Sequence, residues 1–300
     1  MKGKRIFVVG SSNTDMVVKS AKLPRPGETI MGGVFLMNAG GKGANQAVAA
    51  ARLGGEVTFV AKVGNDIFGA QSVEGFKKEG IQTQYVLVDD THPSGTALIM
   101  VNEEGENCIV VAPGANAALR PADLERVEEL KEAAIILMQL EIPLETIEAA
   151  KKIAVGNHRR VMINPAPAQA LSDELLTGLF LITPNESEAE LLTGIAVTDM
   201  ESATRSADFF LNKGVENVVI TMGKQGAYFK NGSTSFMVPA PAVKAVDTTA
   251  AGDTFSGALT VAITEGMDWE QAIRFAVKAA SLSVTRMGAQ ASVPYRSEIL

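Results

Sequence analysis

The C-terminal part of the chain places a carboxylate and several small residues directly before a predicted helix, in the segment 246–255. Ala250, Ala251 and Gly252 have almost no side chain, so a ligand can closely approach their backbone N–H groups. Because these groups lie where the helix begins, they can bind an oxyanion with help from the helix dipole. Asp253 follows in the first turn, where a carboxylate serves either as a helix cap or as a general base beside the anion.

A second glycine-rich segment, AGGKGAN at positions 39–45, also precedes a predicted helix. It is not a Walker A loop, because Leu36 lies five positions before Gly41. It also lacks the dinucleotide-binding GxGxxG pattern, because Gln46 stands where the third glycine would be. The segment therefore fits either close approach of a ligand to the backbone or an ordinary structural turn.

Polar residues follow three predicted strands, at the ends where open α/β sheets bind ligands. Asn13 and Asp15 can bind vicinal hydroxyl groups, or they can form an Asx-type turn. Asn185 can cap a helix, or it can act with Glu188 to arrange water around Mg²⁺. The segment 221–226 (TMGKQG) fits a turn and a phosphate-binding loop equally well.

Short β-branched runs alternate along the chain with longer stretches of helical periodicity, and these elements must position the segments described above. The alternation indicates βαβ units and a mostly parallel sheet covered by helices on both faces. We predict strands over 5–9, 57–63, 135–139, 161–164, 180–183 and 218–222. We predict helices over 43–53, 68–78, 144–155, 187–193, 201–213, 254–265 and 269–285.

Two regions depart from this alternation. Residues 31–38 alternate weakly and lie soon after 16–19, and the runs 96–101 and 107–111 flank a hairpin turn at 102–106. These four segments form either a small separate sheet or edge strands of the main sheet.

Composition excludes several classes of protein. The chain has 300 residues, 46% hydrophobic and 20% charged, with a net charge of −7 and no large cluster of Lys and Arg, which argues against nucleic-acid binding. No apolar run approaches the roughly 20 residues that span a bilayer. The N-terminus lacks the apolar core of a signal peptide. Cys108 is the only cysteine, so no intrachain disulfide can form. We therefore expect a cytoplasmic protein that binds neither nucleic acid nor membrane.

The motifs AGGKGAN, NESE, TMGKQG and DTTAAGDTF, in that order, resemble the PfkB family of carbohydrate kinases, and the similarity extends from VVGSSNTD to VTRMGAQASVP. The resemblance implies one sugar-kinase domain over 1–300, folded as an α/β three-layer α/β/α sandwich. It also implies a β-sheet lid from segments near 12–38 and 94–112, and a homodimer. The most similar members transfer a phosphoryl group from ATP to the 5-hydroxyl of D-ribose, giving D-ribose 5-phosphate and ADP.

The resemblance also implies a role for each motif residue. Asp253 is the base that takes the proton of the primary hydroxyl, and Ala250, Ala251 and Gly252 form the anion hole. The implied ribose contacts are Asn13, Asp15, Gly41, Lys42, Gly43, Asn45, Glu141 and Asp253. The implied nucleotide contacts are Asn185, Thr221, Gly223, Lys224, Gly226 and Gly252. A K⁺ site is implied at Asp247, Thr249, Ser283, Arg286, Gly288 and Ser292, and Mg²⁺ is held through water by Asn185 and Glu188.

The chain departs from the family pattern at one position. Members often place a histidine against adenine, whereas this chain has Val277, so we expect an apolar adenine contact. Alternative functions are those of a deoxyribokinase, a fructokinase or a non-catalytic sugar-binding protein. The Asn13 and Asp15 pair favours a pentose with both hydroxyls, and the intact Asp253 segment argues against a silent protein.

Overall fold

The computed structural model describes residues 4–299, in which thirteen strands form two sheets. The strands are β1 (Arg5–Val9), β2 (Asn13–Lys19), β3 (Val34–Gly40), β4 (Glu56–Gly64), β5 (Gln82–Asp89), β6 (Gly95–Val101), β7 (Asn107–Ala112), β8 (Ile135–Met138), β9 (Arg160–Ile163), β10 (Leu181–Ile182), β11 (Asn217–Thr221), β12 (Ala227–Asn231) and β13 (Ser235–Val238).

The α-helices of the same residues vary from one turn to about four. They are α1 (Lys42–Arg52), α2 (Ile67–Lys78), α3 (Pro121–Leu124), α4 (Leu144–Gly156), α5 (Asp173–Leu176), α6 (Glu186–Thr193), α7 (Met200–Asn212), α8 (Ala251–Glu265) and α9 (Trp269–Ser283). Short 3₁₀ helices lie at Gly114–Ala118, Glu128–Glu132, Gly223–Gln225, Gln290–Ser292 and Arg296–Glu298. Within residues 4–299, none of the helices has the length and apolar character needed to cross a membrane.

The larger sheet has nine strands in the order β13-β12-β11-β10-β9-β8-β1-β4-β5. All neighbouring pairs from β11 to β5 are parallel, whereas β12 and β13 add antiparallel strands at one edge. The prediction of a mostly parallel sheet is therefore confirmed.

Both faces of this sheet are covered, and β1 shows how the sequence achieves it. Ile6 and Val8 point into a core shared with α1, α8 and α9, whereas Phe7 and Val9 point into a core shared with α4 and α7. All four side chains are fully buried. Burial of one such side chain stabilises the fold by about 1.5–3 kcal/mol. The result is the predicted three-layer α/β/α sandwich.

The smaller sheet has four strands in the order β3-β2-β6-β7, so the prediction of a small separate sheet is confirmed over that of edge strands. Strand β2 follows β1 after three residues, which places the small sheet beside the carboxyl ends of the parallel strands. In this register Asn13 pairs with Gly40 on one side and with Gly95 on the other.

Several elements differ from the sequence-based prediction. Strands β5, β12 and β13 and the short helices α3 and α5 were not predicted, because pairing and packing partners rather than local pattern determine them. Helix α8 begins three residues earlier than predicted, at Ala251, and this makes Asp253 its third residue. Helix α9 ends at Ser283, two residues before the predicted end.

Candidate active site

Polar residues from five parallel strands meet at one edge of the large sheet. Asn13 follows β1, Glu141 follows β8, Asn164 follows β9, Asn185 follows β10, and Thr221 ends β11. Four of these strands, β8 to β11, are consecutive neighbours in the sheet, and β1 lies beside β8. This is the edge at which open α/β sheets bind ligands.

A pocket opens at this edge, between the strand ends and the beginning of α8. The residues that line it are Lys42, Asn164, Ala166, Thr183, Asn185, Glu188, Thr221, Thr248, Ala250, Ala251, Gly252, Asp253 and Ser256. The pocket therefore brings together the predicted base, the predicted anion-hole residues and three of the predicted nucleotide contacts, Asn185, Thr221 and Gly252.

Asp253 lies in the first turn of α8, but its side chain does not cap the helix. Its Oδ2 atom accepts a hydrogen bond from Asn45 Nδ2 at 2.9 Å, and its Oδ1 atom accepts one from Gln46 Nε2 at 2.9 Å. The residue is only 6% exposed. Both carboxylate oxygens are thus held by amide donors of α1, and the interpretation of Asp253 as a helix cap is wrong.

The charges around Asp253 act in opposite directions. The pKa of Asp253 is raised above its usual range, because burial outweighs the lowering effect of Lys42 and of the amide donors of Asn45 and Gln46. Burial also lowers the pKa of Lys42, but nearby carboxylates, first among them Asp253 and then Glu141, outweigh this effect and the pKa is raised. Lys42 therefore stays cationic and lines the pocket beside the carboxylate.

The beginning of α8 offers backbone donors to an anion. Ala250 precedes the helix in the left-handed conformation with φ of 60°. Within residues 4–299, the N–H groups of Ala250, Gly252 and Asp253 have no acceptor, whereas that of Ala251 is bonded to the Thr248 carbonyl at 3.3 Å. A Cβ atom added at Gly252 would have no neighbour within 4 Å, which leaves room for a ligand. The start of α8 therefore has three free donors, the N–H groups of Ala250, Gly252 and Asp253, and that of Ala251 is not one of them.

The glycines of the AGGKGAN segment allow α1 to begin against the backbone that follows β1. A Cβ atom at Gly41, where φ is 88°, would lie 2.7 Å from Asn13 N, and one at Gly43 would lie 2.4 Å from Ser11 N. Neither distance is compatible with a side chain. This close packing positions Lys42 and Asn45 beside the β1–β2 connection. Of the predicted ribose contacts, Lys42 and Asp253 line the pocket, whereas the others do not, namely Asn13, Asp15, Gly41, Gly43, Asn45 and Glu141.

The two polar residues of β2 differ in their bonding. Asn13 Oδ1 accepts a hydrogen bond from Asn116 Nδ2 at 2.7 Å, so its amide nitrogen remains available as a donor. The half-buried Asp15 carboxylate receives no hydrogen bond from any residue of 4–299. Burial, together with the carboxylates of Glu141 and Asp253, raises the pKa of Asp15 to about 6. Asp15 is therefore a carboxylate without a donor, next to the base.

Glu141 connects the end of β8 to the beginning of α1. Its Oε2 atom accepts hydrogen bonds from Ser11 Oγ at 2.5 Å and from the backbone N–H of Lys42 at 2.9 Å. The second carboxylate oxygen has no protein donor within residues 4–299. One oxygen thus fixes the start of the helix, and the other is available to a ligand.

Asn185 and Glu188 form a reciprocal cap at the start of α6. Glu188 N donates to Asn185 Oδ1 at 2.8 Å, and Asn185 N donates to Glu188 Oε2 at 2.9 Å. The interpretation of Asn185 as a helix cap is confirmed, and both residues also line the pocket. In the described part of the chain, no group of three or more His, Cys, Asp or Glu side chains could hold a metal ion directly.

The turn after β11 lies outside the pocket lining, apart from Thr221. Gly223 and Lys224 are exposed in a 3₁₀ turn. A Cβ atom at Gly226 would lie 2.0 Å from the Val238 carbonyl oxygen, so a glycine is required there by the neighbouring strand. The structure thus explains Gly226 by backbone packing, and the nucleotide contacts of this turn stay predictions.

Half of the predicted K⁺ residues are connected in the structure. Asp247 Oδ1 accepts from the backbone N–H of Thr249, and Asp247 Oδ2 accepts from that of Gly288, both at 2.9 Å. The other three residues make separate contacts: Ser283 Oγ donates to Ala280 O, Ser292 Oγ donates to Ala289 O, and Arg286 pairs with Glu298. The carboxylate of Asp247 therefore joins the segment before α8 to the segment after α9.

Comparison with known proteins agrees with the ordered motifs. Residues 4–296 match the family described as pfkB family carbohydrate kinase. The chain belongs to the pfkB family of carbohydrate kinases. This family member is 45% identical over 298 residues to the ribokinase of Haemophilus influenzae, covering 99% of this chain and 97% of that protein. It is 38% identical over 291 residues to the deoxyribokinase of Salmonella typhi, covering 96% of this chain and 95% of that protein.

Solved structures of similar proteins share the fold of this carbohydrate kinase. The ribokinase of Thermotoga maritima has a TM-score of 0.90 at 39% identity, covering 100% of this chain and 98% of that chain. The ribokinase of Arabidopsis thaliana, complexed with ribose and ATP, has a TM-score of 0.92 at 34% identity over 100% of this chain and 98% of that chain.

Sequence reasoning missed several polar residues of the kinase site. Asn164 lines the pocket and Gln139 lies fully buried beside it, and both follow parallel strands. The strand-end rule that selected Asn185 would also have found them. Gln46 and Asn116 gave a weaker signal, because a single amide in a helix or turn has no distinctive spacing.

The unpartnered carboxylate of Asp15 predicts a pH dependence of sugar binding. Hydroxyl donors bind the ionised form, whose pKa in the free protein is about 6. We expect kcat/KM for the sugar to be constant above this pH and to fall about tenfold per unit below it. An Asp15→Asn variant should bind more weakly and lose this limb of the kcat/KM profile. A profile that Asp15→Asn leaves unchanged would contradict the assignment.

Proposed function

We propose that this protein is an ATP-dependent D-ribose kinase that converts D-ribose and ATP into D-ribose 5-phosphate and ADP. The observation that carries the proposal is the geometry of Asp253. A buried carboxylate, held as an acceptor by two amides, lines the same pocket as the free N–H groups at the start of α8. A base next to an anion-binding helix start is the arrangement that phosphoryl transfer to an alcohol requires.

The reaction can be followed atom by atom. The proton of the primary hydroxyl passes to the Asp253 carboxylate while the hydroxyl oxygen forms a bond to the γ-phosphorus of ATP. The bond from that phosphorus to the β,γ-bridging oxygen breaks, and ADP leaves with the electron pair. Negative charge on the transferred group is stabilised by the N–H groups of Gly252 and Asp253 and by the Lys42 ammonium group.

The sugar site that we propose lies between β2 and α1. Asp15 accepts hydrogen bonds from two neighbouring hydroxyl groups, and the free amide nitrogen of Asn13 donates to one of them. Asn45 and Glu141 complete the ring of polar contacts around the sugar. The similarity to ribokinases supports D-ribose as the sugar, and the deoxyribokinase relative makes 2-deoxyribose the principal alternative.

The nucleotide that we propose is ATP with Mg²⁺, bound on the side of Asn185 and Thr221. Mg²⁺ prefers oxygen ligands and keeps several waters, which fits a site with one free carboxylate oxygen of Glu188 rather than a cage of acidic residues. When bound, the ion would neutralise charge on the phosphates. Val277 is 5% exposed and packs in the core on α9, and the apolar adenine contact at this position stays a prediction.

A coupled assay of ADP formation with a panel of sugars tests the proposal. We expect the highest kcat/KM with D-ribose, lower values with 2-deoxyribose and D-fructose, and no turnover when Mg²⁺ is removed by a chelator. A preference for fructose or 2-deoxyribose would identify another member of the same family. Sugar binding by calorimetry without any ADP formation would show a non-catalytic sugar-binding protein and overturn the proposal.

We also propose a K⁺ site in the loops that Asp247 joins. Because Thr249 lies directly before the anion hole, an ion bound there would order the start of α8 without touching the sugar. We expect higher kcat in K⁺ than in Na⁺ at constant ionic strength, and loss of this difference in Asp247→Ala. Equal activity of the wild-type protein in both salts would contradict the site.

The small sheet suggests a lid and a homodimer within a single sugar-kinase domain. Its strands expose apolar side chains, namely Val18, Val34, Phe35, Leu36, Met37, Leu98, Met100, Ile109, Val110 and Val111. An apolar surface of this kind marks a contact with another protein surface. We expect light scattering to show a dimer, and Leu98→Glu on the exposed face of β6 to shift it toward monomer. A wild-type monomer at all concentrations would contradict the dimer.

A further inference from the structure

A chain of buried amides leads from the catalytic carboxylate into the protein. Gln46 Nε2 donates to Asp253 Oδ1 and to Asn164 Oδ1, both at 2.9 Å. Gln46 Oε1 accepts from Gln139 Nε2 at 2.6 Å, and Asn164 Nδ2 donates to the Thr183 carbonyl at 2.9 Å. The two donors and the acceptor of the Gln46 amide group are therefore all engaged.

This bonding fixes which way the Gln46 amide faces. Within residues 4–299, Gln139 Oε1 is buried without a partner, so Gln139 does not by itself decide the direction of the Gln46 amide. The ionised Asp253 carboxylate decides it, because a carboxylate can only accept. The amide nitrogen of Gln46 then points at the Asp253 carboxylate, where a reversed amide would set two acceptors against each other. Gln46 and Gln139 are fully buried, with no exposed surface that a ligand could contact, so Gln46 acts on the site through Asp253 and Asn164, which line the pocket.

We propose that Gln46 is a positioning residue, which holds Asp253 Oδ1 so that the carboxylate presents a fixed acceptor to the sugar hydroxyl. Gln139 supports it by donating a hydrogen bond to the carbonyl oxygen of Gln46. This inference rests on the proposed function, because it assumes that Asp253 is the base. A misplacement of the reacting groups by about 1 Å can lower the rate about 100-fold, which shows how much such a contact can contribute.

The charges that face Asp253 give the inference a measurable consequence. Lys42 of α1 is the neighbouring cation, and three further carboxylates face the base: Asp15 of β2, Glu141 after β8 and Glu188 of α6. Burial raises the pKa of Asp253, and the Gln46 donor is one of the groups that lower it. Removal of that donor therefore moves the pKa of Asp253 upward, and a protonated carboxylate cannot accept the sugar proton.

The test compares Gln46→Met with the wild-type enzyme, with kcat and KM for ribose measured across pH. Methionine keeps the length and removes all three hydrogen bonds. We expect kcat at neutral pH to fall roughly 10- to 100-fold, the acid limb of the kcat profile to move to higher pH, and the KM for ribose to change little. The pH profile of kcat reports groups in the substrate-bound enzyme. The titration of Asp15 in the free enzyme appears in the profile of kcat/KM instead, so the two signals are separate.

Two further variants separate positioning from folding. Gln139→Met leaves the Gln46 donor in place but removes the hydrogen bond that supports its carbonyl oxygen, so we expect a smaller shift of the acid limb in the same direction. If Gln46→Met does not fold, Gln139→Met alone tests the proposal. Val48→Ala removes buried methyl groups from the same helix and should lower the melting temperature without moving the limb.

The outcomes are distinct. A moved acid limb with nearly constant ribose KM supports the proposal. A wild-type pH profile in folded Gln46→Met or Gln139→Met, whatever the value of kcat, overturns it, as does a rise in ribose KM larger than the fall in kcat. Absence of ribose-dependent ADP formation in the wild-type protein would instead refute the proposed function itself.

Discussion

Asp253→Asn is expected to lower kcat by roughly 10²- to 10⁴-fold, the range that is typical of a general base. The amide cannot accept the hydroxyl proton as a carboxylate does. Sugar binding should weaken far less, because asparagine keeps the size of the side chain and much of its hydrogen bonding. Steady-state kinetics with ribose and ATP, together with calorimetric titration of ribose, measure the two effects separately.

The structure indicates why this variant should still fold. Oδ1 of the new asparagine can keep the hydrogen bond from Gln46, while its Nδ2 atom would face the amide nitrogen of Asn45. Within the described residues, Asn45 Oδ1 is buried and has no hydrogen-bond partner. Rotation of the Asn45 amide by half a turn would therefore restore a donor–acceptor pair in place of two donors.

Asp268→Asn provides a matched control. Asp268 precedes α9 and does cap its helix, since it accepts a hydrogen bond from Gln271 N at 2.8 Å. Asparagine caps helices about as well as aspartate, so we expect normal kcat and a nearly unchanged melting temperature. If Asp253→Asn also kept near-normal kcat, Asp253 would not be the base, and this result would contradict the mechanism proposed above.

D-Ribose should be preferred over 2-deoxyribose by roughly 5- to 150-fold in kcat/KM. The missing hydroxyl leaves buried polar groups of Asn13 or Asp15 without a partner, at a cost of about 1–3 kcal/mol. The Asp15 carboxylate is affected most, because no protein donor can replace the hydrogen bond from the missing hydroxyl group. Competition between the two sugars in one assay measures the ratio directly.

Asp15→Asn should reduce this preference, because the amide of the variant no longer presents two acceptors. We expect ribose to lose more than 2-deoxyribose, so that the ratio of their kcat/KM values approaches one. Equal kcat/KM for both sugars in the wild-type protein would refute the assignment of Asn13 and Asp15 to the 2- and 3-hydroxyls. It would also favour the deoxyribokinase alternative.

Much of the site could be predicted because its residues follow strands. The ends of parallel strands share one edge, so polar residues there, such as Asn13 and Asn185, meet without any knowledge of the strand order. The anion-binding start of α8 is equally local, since it depends on small residues before a helix. Gln46 could not be predicted in this way, because its role depends on Gln139 and Asn164, which are distant in the sequence.

The fold likewise has features that the sequence predicts and features that it does not. The alternating strand and helix pattern predicted the three layers, and the turn at 102–106 predicted the hairpin of the small sheet. The place of β1 between β4 and β8 could not be read from the pattern, because it depends on how the crossovers pack. The unpredicted strand β5 mixes polar and apolar residues and owes its conformation to pairing with β4.

The most direct test of the account is to identify the product formed from ATP and D-ribose. We expect one ADP for each sugar phosphate formed, and NMR spectra in which the phosphorus couples to the methylene carbon C5. Such a product requires the primary hydroxyl to lie against Asp253 and the γ-phosphoryl group to lie at the start of α8. A phosphate on C1, or ADP formation that does not depend on ribose, would contradict the proposed reaction.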